Sequence, residues 1–166
     1  MLQIKKIGVA DINLVRELAY EIWPIAYKEI LTKDQLIYML DLIYSKKALN
    51  NQIENSGHQF IIVTDHDKAV GFASYSPKKP GDATTYRLHK LYVMTSQQGK
   101  GIGKYLLNYI INEIKQTGAK KLELNVNRHN SAFYFYRKMG FVIVKEEDID
   151  IGGGYFMNDY VMSCEL

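Results

Sequence analysis

Apolar residues in "INLVRELAYEIW" recur at helical spacing, at Ile12, Val15, Leu18, Ala19 and Ile22, so this stretch predicts a helix. Asp11 stands at its cap position, and Pro24 is expected to interrupt it just after Trp23. Leu36, Leu40, Ile43 and Leu49 keep the same period and predict one further helix, capped by Thr32 or Asp34. The pattern then changes. "HQFIIVTD" and "AVGFASYS" are short, β-branched and aromatic, and Asp65-His66-Asp67-Lys68 joins them as a hairpin turn. "PKKPGDAT" reads as a loop and "TYRLHKLYVM" as a strand. The next helix carries Ile102, Leu106, Tyr109, Ile110 and Ile114 on one face and ends at Gly118 in a left-handed cap. "KKLELNV" predicts a strand, and "SAFYFYRKM" a short helix stopped by Gly140. "FVIVKEEDI" and "YFMNDYVMSCEL" predict two closing strands around Gly152, Gly153 and Gly154, and "LQIKKIGV" predicts a first one.

The expected order is β α α β β β α β α β β. Short turns give antiparallel pairs, whereas the strand–helix–strand unit from Tyr86 to Val126 should be parallel and right-handed. The fold class is therefore α/β (α+β): a mixed, mostly antiparallel sheet of about seven strands with helices on both faces.

A chain of 166 residues suits one domain, spanning 1–166. Its net charge of +3, with scattered lysine doublets, does not point to nucleic acid. The single cysteine, Cys164, excludes an internal disulfide and fits a reducing, cytoplasmic compartment. Its place beside the C-terminus offers no activating base. No run of about 18 apolar residues is present, so no membrane span is expected. No metal is expected.

One stretch concentrates candidate chemistry. In "QQGKGIGKYLLNYIINEI", Gly99, Gly101 and Gly103 lead straight into a helix. Glycines let the backbone turn sharply and let a ligand approach it. The first amides of a helix lack internal partners, and the helix dipole adds positive potential there. Such a strand–loop–helix junction suits a phosphate, and Lys100 and Lys104 add charge. The loop matches neither the G-x-G-x-x-G dinucleotide fingerprint nor G-x-x-x-x-G-K-[ST]. A tight turn alone is the plainer reading of the loop taken by itself.

The flanks change that. "LHKLYVMTSQQGKGIGKYLLNYII" resembles motif A of the GNAT N-acetyltransferase superfamily, a strand L-x-V followed by [QR]-x-x-G-x-[GA] and a helix: here Leu91-Tyr92-Val93, then Gln98, Gly101 and Gly103. "NSAFYFYRKMGF" resembles motif B, with Asn130, Ala132, Tyr136, Gly140 and Phe141. The spacing between Asn130 and Ala132 is one residue shorter than in that motif. The resemblance implies the GNAT acyl-CoA N-acyltransferase fold and acetyl-coenzyme A as donor. It implies that amides over Gln98, Gly99, Lys100, Gly101, Ile102, Gly103 and Lys104 hold the diphosphate. It further implies that backbone groups of Leu91-Tyr92-Val93 bond the pantetheine arm and acetyl carbonyl, that Asn130 contacts the cofactor, and that Tyr136 lies beside the thioester sulfur.

Transfer by direct attack in a ternary complex sets requirements. A lysine-like amine is neutral about once in 2,500 molecules at pH 7, so deprotonation costs about 4.6 kcal/mol without help. A base is expected, yet "YRLHKLYV" carries no carboxylate where many relatives have one. His89 is the only residue there with a suitable pKa, and strict alternation puts it on the face of Leu91 and Val93. Tyr136 is the candidate acid for the leaving thiolate. Its neighbour Tyr134 reads as an aromatic core residue.

Trp23, Tyr27 and Glu29 cluster where the first helix breaks and are candidate walls for a small-molecule amine. The segment from Ile22 to Ile53 is similar in layout to bacterial spermidine/spermine N-acetyltransferases, so a polyamine leads among acceptors. A protein or peptide N-terminal or lysine acetyltransferase and a non-catalytic acetyl-coenzyme A-binding module stay open. The closing hairpin, with Tyr155, Asn158 and Asp159, is expected to be a flexible turn, to border the acceptor or to form a homodimer contact.

Overall fold

Hydrophobic spacing converts into seven strands and five helices. The computed structural model describes residues 1–166. The elements are β1 (Leu2–Ile7), α1 (Ile12–Ala26), α2 (Lys33–Tyr44), α3 (Lys46–Glu54), β2 (Gln59–Asp65), β3 (Lys68–Lys79), β4 (Asp82–Val93), α4 (Ile102–Gln116), β5 (Lys121–Asn127), α5 (Ala132–Lys138), β6 (Val142–Gly152) and β7 (Tyr155–Glu165). They form one mixed seven-stranded sheet in the order β1-β2-β3-β4-β5-β7-β6. The parallel unit is as expected, with Thr85 opposite Lys121 and Leu88 opposite Leu124. By contact density the chain divides into two units, Met1–Ser76 with Lys90–Ile110, and Pro77–His89 with Ile111–Leu166.

In the first unit, α1 buries Ile12, Val15, Leu18, Ala19, Ile22 and Trp23, the apolar stripe its sequence spells out. Phe60, Ile61, Ile62 and Val63 are consecutive buried positions in β2, which marks an interior strand covered on both sides. The β2–β3 turn places His66 and Asp67 at φ 49° and 65°, the paired left-handed torsions of a two-residue hairpin turn. In the second unit, β7 lies between β5 and β6 and pairs antiparallel with both.

Four expectations need correction. Pro24 does not stop α1, which continues to Ala26. Pro24 and Tyr20, one turn earlier, are both exposed, so the proline lies on the solvent side of α1. The single second helix is two, because Ser45 turns extended (ψ 151°) and its hydroxyl caps α3 by accepting from Ala48 N at 3.1 Å. Asp11 occupies its cap position but makes no capping bond; its carboxylate lies 3.9 Å from Lys5 Nζ. The loop "PKKPGDAT" is mostly strand, with β3 reaching Lys79 and β4 starting at Asp82 around Gly81 at φ 78°.

Candidate active site

The glycine loop lies in the first unit. β4 ends at Val93, a single 3-10 turn covers Thr95–Gln97, and α4 starts at Ile102. Gly99 and Gly101 have φ 80° and 78°, a region L-residues with side chains seldom adopt. Tyr105 N donates the first helical bond, to Gly101 O at 3.0 Å. The amides of Ile102, Gly103 and Lys104 therefore precede the helical ladder. A Cβ built on Gly99 or Gly101 would meet nothing within 4 Å, so space lies open beside both glycines. The side chains of Gln98, Lys100 and Lys104 are exposed, and Lys100 reaches Gln97 at 3.1 Å. This is a cradle of main-chain donors with two cations beside it, and a diphosphate fits its charge and chemistry.

Beside the loop, β4 carries Leu91, Tyr92 and Val93. Its buried positions are Tyr86, Leu88 and Lys90, then Val93, so the two-residue period slips by one. Strict alternation therefore does not carry the face of His89 through to Val93. Tyr92 enters an aromatic cluster. Its hydroxyl is 2.9 Å from that of Tyr27, and its ring lies 5.7 Å from Trp23 and 5.6 Å from Phe72. Trp23 and Tyr27 pack at 4.5 Å and are only 3% and 8% exposed, so both belong to the core of this unit, whereas Glu29 is exposed.

Lys90 is the residue that sequence reasoning missed here. A lysine at every other strand position ordinarily reads as solvated, yet this one is buried. Its Nζ donates to Gln52 Oε1 at 2.7 Å, and Gln52 is itself oriented by donating to Ile43 O at 2.9 Å. The ammonium lies 5.7 Å from the Tyr44 ring centroid and 5.3 Å from that of Phe60. Burial pushes its pKa down to about 7. Burial, then the Lys90 charge, lowers His58 to about 4.

The second unit holds Tyr136, Asn130 and His89. Tyr136 is buried against Phe141, ring centroids 5.7 Å apart, while Tyr134 is 63% exposed. The expected core role of Tyr134 is thus wrong, because the seven-residue α5 turns only one of its tyrosines inward. Asn130 Oδ1 accepts from Ala132 N at 2.9 Å, which ties the loop into α5 and leaves its amide group as a donor. A cleft of about 330 Å³ lies along Arg128, Asn130, Phe133, Tyr134 and Tyr160. Cys164 has its pKa raised by burial, then by Glu165, consistent with an inert thiol.

A polar network in this unit was also not legible. Arg87 donates to Asn125 Oδ1, and Asn125 Nδ2 bonds Asp159 and Glu147, each at 3.2 Å. Asp159 is 4% exposed, and burial holds its carboxyl above the usual range. Half-buried Glu147 is held below it, first by Lys145 and then by Asn125. The residues come from β4, β5, β6 and β7, so no local motif announces them.

A family model described as an acetyltransferase (GNAT) domain matches residues 31–156. A spermidine N(1)-acetyltransferase of Thermoplasma acidophilum is 30% identical over 161 residues, covering 94% of this chain and 95% of that protein. A [ribosomal protein bS18]-alanine N-acetyltransferase of Haemophilus influenzae is 34% identical over 121 residues, covering 68% and 77%. The crystal structure of PaiA N-acetyltransferase from Thermoplasma acidophilum in complex with coenzyme A superposes with a TM-score of 0.83 at 27% identity, covering 100% of this chain and 99% of that one.

Proposed function

We propose that this chain, which belongs to the GNAT acetyltransferase family, uses residues 1–166 as one domain to move the acetyl group of acetyl-coenzyme A onto a primary amine. The observation that carries this reading is the open, amide-lined start of α4, with Gly99 and Gly101 in left-handed torsions. Main-chain amides from Gln98 to Lys104 hold the diphosphate. Leu91-Tyr92-Val93 bonds the pantetheine arm and the carbonyl, whose oxygen gains negative charge as the amine attacks. Asn130 offers its free amide donor to the same molecule. Carbon–nitrogen bond formation and carbon–sulfur cleavage leave a thiolate, which Tyr136 protonates, and the amine must lose a proton.

His89, half-buried in β4, is one candidate for the base. A specific observation favours a second reading, Asp159, whose buried carboxyl has a raised pKa and is oriented by Asn125. The acceptor is a small amine such as a polyamine; of the expected wall residues only Glu29 is exposed to meet it, Trp23 and Tyr27 being packed in the core behind. The relative named for spermidine supports that choice. The relative named for a ribosomal-protein alanine supports a peptide N-terminus instead.

Thiol release from acetyl-coenzyme A, assayed with polyamines, amino acids and peptides, tests the proposal. Polyamines should give the highest kcat/KM. A preference for peptide N-termini would replace the acceptor, and no acceptor-dependent release would leave a binding module. In the same assay Tyr136→Phe should lower turnover about ten- to a hundredfold. Asp159→Asn should lower it about 10²-fold or more, and His89→Gln by less. The reverse order would assign the base to His89.

A further inference from the structure

We infer that Gly71 is a positioning residue for acetyl transfer: it lets the main chain of Tyr92 and Val93 lie directly against β3, and so sets where β4 presents its donor to the acetyl carbonyl. This rests on the proposed role of Leu91-Tyr92-Val93. The φ of Gly71 is not in the left-handed region, so torsion does not require glycine there. Space does. A Cβ at position 71 would stand 2.8 Å from Tyr92 O, 3.1 Å from Val63 Cγ1 and 3.4 Å from Val93 Cα. The nearest of these is main chain and cannot rotate away.

Irregularities in β3 and β4 meet at this glycine. β2 pairs Val63 with Gly71 but Thr64 with Ala69, which leaves Val70 as an extra residue. The carbonyl of that extra residue accepts from Met94 N at 2.8 Å, just past the end of β4. The burial period of β4 slips between Lys90 and Val93. On the side-chain side, Tyr92 is held by the 2.9 Å hydroxyl contact with Tyr27 and by the Phe72 and Trp23 rings. The segment is thus fixed from two directions, and the backbone contact exists only while position 71 has no side chain. A β4 displaced by a few tenths of an ångström misaligns a donor whose value depends on distance and direction.

The test is isotope-edited infrared spectroscopy of carbonyl-labelled acetyl-coenzyme A bound to the full chain without acceptor. In the native protein the thioester carbonyl stretch should fall to lower frequency than in water, reporting a strong hydrogen bond. In Gly71→Ala it should return toward the free value, with turnover at least about tenfold lower and coenzyme A affinity, read by calorimetry, within about twofold. Gly71→Ala combined with Val63→Ala relieves the side-chain contact but not the contact with Tyr92 O. It should not recover turnover, because the main-chain contact remains, and saturating acetyl-coenzyme A, which stabilises the folded state by mass action, carries the measurement in a destabilised variant. A native protein with no carbonyl shift would overturn the underlying role of β4. A native shift that persists in the Gly71 variants, or wild-type turnover in the double variant, would overturn the role of Gly71.

Discussion

Gly101→Val should abolish useful binding of coenzyme A, weakening it by at least about a hundredfold, or roughly 2.7 kcal/mol. Two effects act together. The φ of 78° at Gly101 is hostile to a β-branched residue, so the loop must strain or rearrange, at about 1–3 kcal/mol. The isopropyl group would also occupy the open space beside position 101, next to the amides that would hold the diphosphate. Charge-assisted hydrogen bonds contribute about 1.5–3 kcal/mol each, so the loss of two suffices. Calorimetry with coenzyme A reads the affinity, and thermal unfolding reads the cost of strain in the free protein. Affinity within twofold of wild type would show that the diphosphate rests elsewhere.

Lys90→Met should flatten the pH dependence of stability between about pH 7 and pH 10.5. The folded pKa of Lys90, about 7, lies below its ordinary 10.5 because burial disfavours the ammonium. Between those values the unfolded chain binds more protons than the folded one, so native stability rises with pH across that window. Below about pH 7 the penalty is constant and full, approaching roughly 5 kcal/mol by linkage. The faces of Tyr44 and Phe60 offset part of it, about 0.5–2 kcal/mol each. Chemical unfolding of both proteins at several pH values checks this. The stability difference favouring the methionine variant should be largest near pH 6 to 7 and shrink steadily toward pH 10. His58, also a depressed base, acts in a separate window, between about 4 and 6.5. A difference that stays flat from pH 7 to 10 would mean that Lys90 keeps an ordinary pKa in its aromatic box.

The glycine loop and α4 were legible because their signals are local: glycines at fixed spacing, then a helical stripe from Ile102 to Ile114. The same holds for the hairpin at His66-Asp67 and the parallel unit between β4 and β5. The break at Ser45 was legible but easily passed over: Leu49 follows Leu40 by nine residues, half a turn out of phase, so the apolar stripe of α2 does not run on into α3. Lys90 and Asp159 were hidden for another reason. Each is a charged residue whose burial depends on partners distant in sequence, Gln52 and Tyr44 for one, Asn125 for the other. The slip in β4 and the close approach at Gly71 are likewise tertiary, since strict alternation extrapolates from a regular strand.

Amide proton–nitrogen correlation spectra during titration test, residue by residue, whether main-chain amides at the start of α4 hold a diphosphate. Coenzyme A should shift the amides of residues 98 to 104 most, with Gly99, Gly101 and Gly103 prominent, while pantetheine, which has no diphosphate, should leave them in place. Saturation by coenzyme A with those amides unmoved, or equal shifts from pantetheine, would contradict the account.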